Sequence, residues 1–207
     1  VGVVVGGLND VFIMYNRKSD NAAVAASLTQ WTSLQDAGQI ANGVMLVNNS
    51  TYYVIAPTET TLTWSSANVT GGGTNVSEKI DAVKDMDGRS NTTAQLTHAE
   101  CSDTAYAIGY CNSYTRTNAN GKGLREGTWF LPSLGELLLI FFNKRKINYA
   151  LSLIEGSTQL SEGWYWTSTE RSSNYAWHLL MSEGYFNMYG VKTTDKKLVR
   201  PISTFTA

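Results

Sequence analysis

NYAWHLLMSEGYFNMYGVK (174–192) decides how the chain is read, because its side chains keep a period of two on both sides of a short turn. Tyr175, Trp177 and Leu179 alternate with Ala176, His178 and Leu180. Beyond Met181-Ser182-Glu183-Gly184, Tyr185, Asn187 and Tyr189 alternate with Phe186, Met188 and Gly190. A two-residue period places neighbours on opposite faces of a strand, and the glycine-bearing connection predicts a hairpin. Tyr185, Asn187 and Tyr189 then share one face, where stiff amphipathic rings beside an amide suit recognition. The alternative is that these rings are cross-strand core pairs.

Working outward, GTWFLPSLGELLLIFF (127–142) carries the clearest helix start. Ser133 can cap the free N–H groups while Glu136 reaches back, Pro132 precedes them, and Leu134, Leu137, Leu138 and Phe141 follow at helical spacing. Ile147, Ala150, Leu151 and Ile154 resume the stripe, as one long helix or as two with a break near 144, and Gly156 is the expected stop. WYWTSTE (164–170) alternates as a strand, and LVRPIST (198–204) reads as a closing strand with Pro201 at an edge or bulge. A guanidinium suits carboxylate geometry, so Arg200 is expected to pair with Glu170 or Glu136. Helices packed against antiparallel strands, rather than alternating with them, indicate an α+β domain.

The first half is less explicit. GVVVGG (2–7) and VFIMY (11–15) are strand-like, and 16–30 is ambiguous between loop and short helix. Thr32 with Gln35 matches a capping box, which predicts a helix over 33–42. GVMLV (43–47), Asn48-Asn49-Ser50 and TYYVIA (51–56) read as a hairpin, with another short strand from Thr61 to Trp64. A strand, turn, strand, Trp order ending at Trp31 recurs ending at Trp64, an echo short of a repeat array. Residues 65–97 read as loop-rich. Gly71-Gly72-Gly73 lacks the Lys-Ser/Thr ending of a phosphate loop. Asp85-Met86-Asp87-Gly88 lacks a glutamate at the twelfth position of a calcium loop, so a turn bonded by its own Asp side chains is the better reading. Thr97 and Glu100 predict a capped helix over 98–114.

Length allows one full core: 207 residues bury roughly 70% of the unfolded surface. A single domain over 1–207 is expected, with a strand-rich extension at 1–40 ahead of a core at 41–207. Formal charge is -1 and only 16% of residues are charged, which gives no electrostatic reason to expect nucleic acid. No apolar run is long enough for a membrane helix, so membrane insertion is not expected. The VGVVVGG start shows neither Met nor a basic leader, which reads as a processing boundary with any export signal upstream. The surface must be built largely from Ser, Thr, Asn, Gln and Gly, as in many extracellular and virion proteins.

Catalytic and metal chemistry find little purchase. On one helix Cys101 and Cys111 would sit about 15 Å apart along the axis. They read as buried thiols, or as a disulfide if the helix is broken. Only His98 and His178 accompany them, so neither a metal nor another cofactor is expected. No nucleophile elbow is present. His178 reads as a binding-face or packed residue before a general base, and nothing singles out Glu162, Glu170 or Glu183 as paired carboxylates. The chain is therefore read as not an enzyme.

TWFLPSLGEL (128–137), YWTSTE (165–170), AWHLLMSEG (176–184) with Lys192, and VRPISTF (199–205) resemble a bacterial and phage family of C-type-lectin-fold domains, with DMDGRSNT (85–92) and Ile55-Ala56-Pro57 as weaker matches. The resemblance implies a C-type lectin-like fold of two main helices packed on small antiparallel sheets with long loops. Relatives include surface or fibre-tip adhesins and variable proteins of diversity-generating retroelements. Carried onto this chain, the ligand-facing surface is Arg171, Ser172, Asn174, Tyr175, His178, Tyr185, Asn187 and Tyr189. The scaffold is Trp129, Pro132, Ser133, Glu136, Trp166, Glu170, Trp177 and Arg200. The Glu-Pro-Asn and Trp-Asn-Asp signatures of calcium-dependent sugar-binding lectins are missing, and the cysteine pair of a related oxidase is not reproduced. The expectation is a receptor-binding adhesion module of a bacterial surface or phage tail protein, extracellular or on a virion. Its partner would be a surface receptor, protein or glycan, and a homo-oligomer is possible. The other readings are a structural domain of such an assembly, or a carbohydrate-binding module or carbohydrate-active enzyme.

Overall fold

The computed structural model describes residues 10–206, so the strand read at 2–7, which opens the first copy of the strand–turn–strand echo, lies outside it. The chain opens with β1 (Val11–Asn16), β2 (Ala23–Ala26), α1 (Leu28–Asp36), β3 (Ala41–Asn48), β4 (Thr51–Ile55) and β5 (Thr60–Leu62). Four short helices follow: α2 (Lys79–Ala82), α3 (Gly88–Gln95), α4 (Ala99–Ser102) and α5 (Ala107–Ser113). A ribbon of β6 (Arg116–Thr117) and β7 (Gly123–Leu124) leads to α6 (Leu134–Phe142) and α7 (Lys144–Ser152). The chain closes with β8 (Trp164–Glu170), β9 (Tyr175–Leu180), β10 (Tyr185–Val191), β11 (Lys197–Val199) and β12 (Ile202–Thr206).

Alternation builds the first sheet, ordered β12-β4-β3-β1-β2 and antiparallel throughout. Ile13, Val44, Leu46, Tyr53 and Ile55 point into the main core. Met14, Met45, Val47, Tyr52 and Val54 point the other way, against Leu124 and Trp129. Both faces are buried, so both sets are apolar. The hairpin read at 43–56 forms as β3 and β4, with Asn49 at φ 52° in its turn. An amide side chain tolerates that left-handed backbone.

The second sheet is ordered β10-β9-β8-β11-β5, with β11 parallel to β8 and the other pairs antiparallel. Its inner face, Tyr165, Trp177 and Leu179, packs on Leu134, Leu137 and Ile140 of α6, and α7 adds Ile147, Ala150 and Leu151 to the same core. Its other face holds Trp166, Ala176 and Val199 against Trp64, Ile108 and both cysteines. Arg200 and Pro201 mark the place where the chain leaves one sheet and enters the other. The single closing strand read at 198–204 is thus two strands, parted at the residue that cannot donate to a ladder.

The C-type lectin-like architecture of two main helices on small sheets is not what the chain forms. The described residues contain seven helices and two five-stranded sheets, neither closed nor curled, besides the short ribbon. The motifs behind that expectation fix local geometry in the last third of the chain. They do not dictate how β1 and β2 enlarge the first sheet, or that 79–113 supplies four helices.

Local readings also need correction. The helix expected at 33–42 begins a turn earlier, at Leu28, where Ser27 N–H donates to Gln30 Oε1 at 3.3 Å. It ends at Asp36, with Ala37 as its C-cap ahead of Gly38 at φ 83°. The helix expected at 98–114 is split into α4 and α5, because Tyr106 bridges Thr63 and Ala107 N–H donates to the Thr63 carbonyl. Thr97 does not cap it; its hydroxyl donates back to the Ala94 carbonyl. The loop-rich stretch contains α2 and α3, the latter capped by Asp87, whose carboxylate accepts from Ser90 N–H at 3.0 Å. Cys101 and Cys111 are buried free thiols, pushed far from thiolate by desolvation. α6 starts as read, with the Ser133–Glu136 box in place, and stops one residue before α7 begins.

Candidate functional site

The ligand-facing residues expected from the sequence gather at one end of the second sheet, on β9, the edge strand β10 and the 171–174 turn. A framework of buried charges fixes that end. Glu170, fully buried at the end of β8, accepts from Lys192 Nζ at 2.5 Å, Gly71 N–H at 2.9 Å and Gln95 Nε2 at 3.2 Å. Lys192 also donates to the Val69 carbonyl at 2.8 Å and lies 4.1 Å from the Trp64 ring centre. Burial pulls its ammonium below its ordinary value, while Glu170 opposes the shift. Arg200 pairs instead with Glu59, at 3.1 Å, and donates to the Ala56 and Thr158 carbonyls. Neither Glu170 nor Glu136 is its partner, because Arg200 sits at the crossing between sheets, where β5 begins.

Two irregularities in register re-aim the side chains. Between Trp166 and Glu170, β8 carries extra residues relative to β9; between Asn187 and Gly190, β10 carries one extra. An inserted residue reverses the alternation beyond it. Tyr185 and Asn187 therefore oppose Leu180 and His178, but Val191 opposes Tyr175. Tyr189, in the bulge, turns to Tyr175, with ring centres 5.8 Å apart and nearly perpendicular. The Asn187 side-chain oxygen accepts from Tyr189 N–H at 2.9 Å and braces the bulge. The single face expected for Tyr185, Asn187 and Tyr189 is thus two adjacent clusters.

In the first cluster, Tyr185 meets Trp164 at 5.9 Å, Trp164 meets His178 at 4.5 Å, and Lys197 stands 5.0 Å from the Trp166 ring centre. His178 is buried between the indoles with Nδ1 unpartnered. Desolvation, aided by Lys197, pushes its imidazole down to about 4, so it is neutral at pH 7 and packs rather than reaches out. Gly190 belongs beside it, since a Cβ there would lie 2.4 Å from His178 Nδ1 and from Trp166. In the second cluster, the Arg171 guanidinium lies 5.7 Å from the Tyr175 ring centre and 5.4 Å from that of Tyr189. Ser172, Ser173 and Asn174 form the adjoining turn.

Tyr185 is 49% exposed and Tyr189 56%, with Asn174 exposed and Arg171, Ser172, Tyr175 and Asn187 partly so. Trp129, Pro132, Ser133, Glu136, Trp166, Glu170, Trp177 and Arg200 are buried. Trp164, Lys192, Lys197 and Glu59 are participants the sequence reading left out of the site. Lys192 and Glu170 both stood in the motif strings, but their pairing with each other was not read.

Other surfaces offer less. A cleft of about 560 Å³ is lined by Tyr53, Met86, Arg89, Glu136 and Phe205. Burial pushes the Glu136 carboxyl up to about 8, yet Ser133 N–H and Gly88 N–H already occupy it as a cap. A second cleft of about 620 Å³ runs beside exposed Phe142 on the α6–α7 corner. Among the described residues no group of three or more His, Cys, Asp or Glu side chains is placed to hold a metal, and no helix is long and apolar enough to cross a membrane.

No protein-family model matches the chain, and no curated protein matches its sequence. Among solved structures, a fimbrial protein from Bacteroides ovatus ATCC 8483 is similar in fold, with a TM-score of 0.55 at 16% identity. The match covers 96% of this chain and 44% of that protein, so the chain spans less than half the length of the structure it resembles.

Proposed function

We propose that the chain is a binding module of a cell-surface adhesion structure, and that it holds its ligand without covalent chemistry on the β9–β10 end of the second sheet. The observation that carries this reading is the pair of exposed rings, Tyr185 and Tyr189, on an edge strand whose inner neighbours are anchored in the core. Rigid tyrosines offer large contact area at small entropic cost, and Asn174 and Asn187 add adaptable hydrogen bonds. A rigid support behind such groups limits the ordering cost of binding. The fold likeness to a fimbrial protein agrees with an extracellular place of work. His178 has no carboxylate orienting it, which fits docking better than proton transfer.

The test is a glycan and surface-protein binding screen repeated with Tyr185→Ala/Tyr189→Ala. The double variant is expected to keep its melting temperature within a few degrees, since both rings are half exposed, and to lose at least tenfold in affinity for any hit. A folded variant that binds its hit as the parent does overturns the reading. The open outer edge of β10 favours a second reading, a subunit contact in a surface assembly. In that case the same substitutions change the sedimentation coefficient and leave the screen unchanged.

A further inference from the structure

Partly exposed Arg171 differs from the buried cations Lys192 and Arg200. Lys192 and Arg200 each face a carboxylate, Glu170 and Glu59 respectively. Arg171 forms no ion pair and no side-chain hydrogen bond among the described residues, and its Nε is buried without a partner. Its neighbours are two tyrosine faces, Tyr175 and Tyr189, which attract the guanidinium while shielding it from water. The residue remains partly exposed, so the guanidinium has a buried, unpartnered Nε and is still reachable from solvent. A guanidinium in that state gains most from an oxyanion, above all a planar carboxylate that takes two parallel N–H bonds.

The turn beside it is held from three sides. Arg171 N–H and Ser172 N–H both donate to the Tyr175 carbonyl, Ser173 C=O accepts from Val69 N–H, and Asn174 C=O accepts from Lys192 N–H. The Asn174 amide oxygen accepts from Ser173 Oγ at 2.7 Å. Ser172, Ser173 and Asn174 thus present neutral hydroxyl and amide groups next to the cation, with the exposed Tyr189 ring beside them. Hydroxyl and amide partners, an aromatic face and one cation match the groups of an acidic sugar: hydroxyls, a C–H face and one carboxylate.

We propose that Arg171, gripped between Tyr175 and Tyr189, is the receptor for the carboxylate of an acidic saccharide. This rests on the binding role argued for the β9–β10 end, and names its ligand chemistry. The test is titration of the whole chain, followed by amide chemical shifts, with glucuronic acid and N-acetylneuraminic acid, against glucose and a short peptide with a free C-terminal carboxylate. Saturable binding of an acidic sugar is expected, with glucose bound about tenfold or more weakly and shifts centred on 171–175 and 189. Arg171→Gln is expected to remove that preference, Arg171→Lys to restore part of it, and Tyr189→Ala to weaken it with the guanidinium still present.

Equal binding of the acidic and neutral sugars, or unchanged acid binding by a folded Arg171→Gln variant, overturns the proposal. So does the absence of saturation by either acid up to about 10 mM. A peptide that binds as tightly as the sugars overturns the saccharide assignment. Tyr185→Ala/Asn187→Ala separates the two levels. If that pair abolishes binding of a screen hit that Arg171→Gln leaves intact, the carboxylate receptor falls and the binding face stands. If neither change affects any hit, both fall.

Discussion

The two sheets meet the same packing problem and solve it differently. The first is antiparallel and mostly apolar on both faces, alternating between the main core and the Met45–Trp129 cluster, with one bulge where Met14 and Tyr15 face Gly43 and Ala41. The second is mixed, bulged in two strands, and threaded with buried polar groups: Thr167, Ser168, Thr169, Glu170 and Lys192. Apolar area buried on both faces is the main support of the first sheet. The second spends part of its interior on a hydrogen-bonded frame, and in return places a cation and several rings at fixed positions on its outer edge. A precise surface there depends on polar groups that no apolar sheet supplies.

This contrast can be broken most sharply at Lys192. Lys192→Met leaves Glu170 buried without its counter-charge, and a loss of about 3–5 kcal/mol is expected in urea unfolding. Adding Glu170→Gln is expected to return part of that loss, since the amide can still accept from Gly71 N–H. An unchanged midpoint in the single variant would mean the pair does not hold the second sheet.

The matching substitution in the first sheet is Ile55→Ala, which opens a cavity beside Val44 and Ile202 and is expected to cost about 3 kcal/mol. The mechanisms differ in their remedy: a larger apolar side chain at a facing position can refill a cavity, whereas only a polar partner satisfies Glu170.

A smaller effect sharpens the comparison through pH. The Glu136 carboxyl has an ordinary value of 4.5 and is raised to about 8, so its stabilising contribution is complete below 4.5 and is lost as pH rises through 8. His178 runs the other way: lowered from 6.5 to about 4, it contributes fully above 6.5 and loses its contribution as pH falls towards 4. Between 6.5 and 8 the carboxyl therefore acts with little interference. Glu136→Gln is expected to flatten the decline of stability across that interval by about 2 kcal/mol, measured as urea midpoints at each pH. A parent slope that persists in the variant assigns the titration elsewhere.

What could be read from the sequence was what neighbours decide. The Ser133–Glu136 box and the β3–β4 hairpin depend on residues a few positions apart, whereas the choice between one helix and two near 144 stayed open until the structure showed two. The split of 98–114 was hidden because Thr63, some forty positions upstream, takes Tyr106 into a bridge and overrides helical propensity. The start of α1 was legible but misread: Ser27 and Gln30 have the same spacing as Thr32 and Gln35, one turn too late. Tyr185, Asn187 and Tyr189 were drawn on one plane, because alternation was carried across Asn187 and Gly190 as if no residue had been inserted. Ion pairing was least accessible. Arg200 with Glu59 and Lys192 with Glu170 are matched by the tertiary arrangement, and composition cannot choose among equivalent carboxylates.

The crossing at Arg200 and Pro201 bears on how the molecule comes to exist at all. Residues 197–199 supply the partner of β5, and residues 202–206 supply the outer strand beside β4, so one short segment completes both sheets. During synthesis neither sheet has all its strands until that segment leaves the ribosome, and each closure joins positions well over a hundred residues apart. Such late, long-range pairing makes folding slow and leaves strand edges uncovered meanwhile, so a nascent chain of this kind has every reason to need a chaperone's protection.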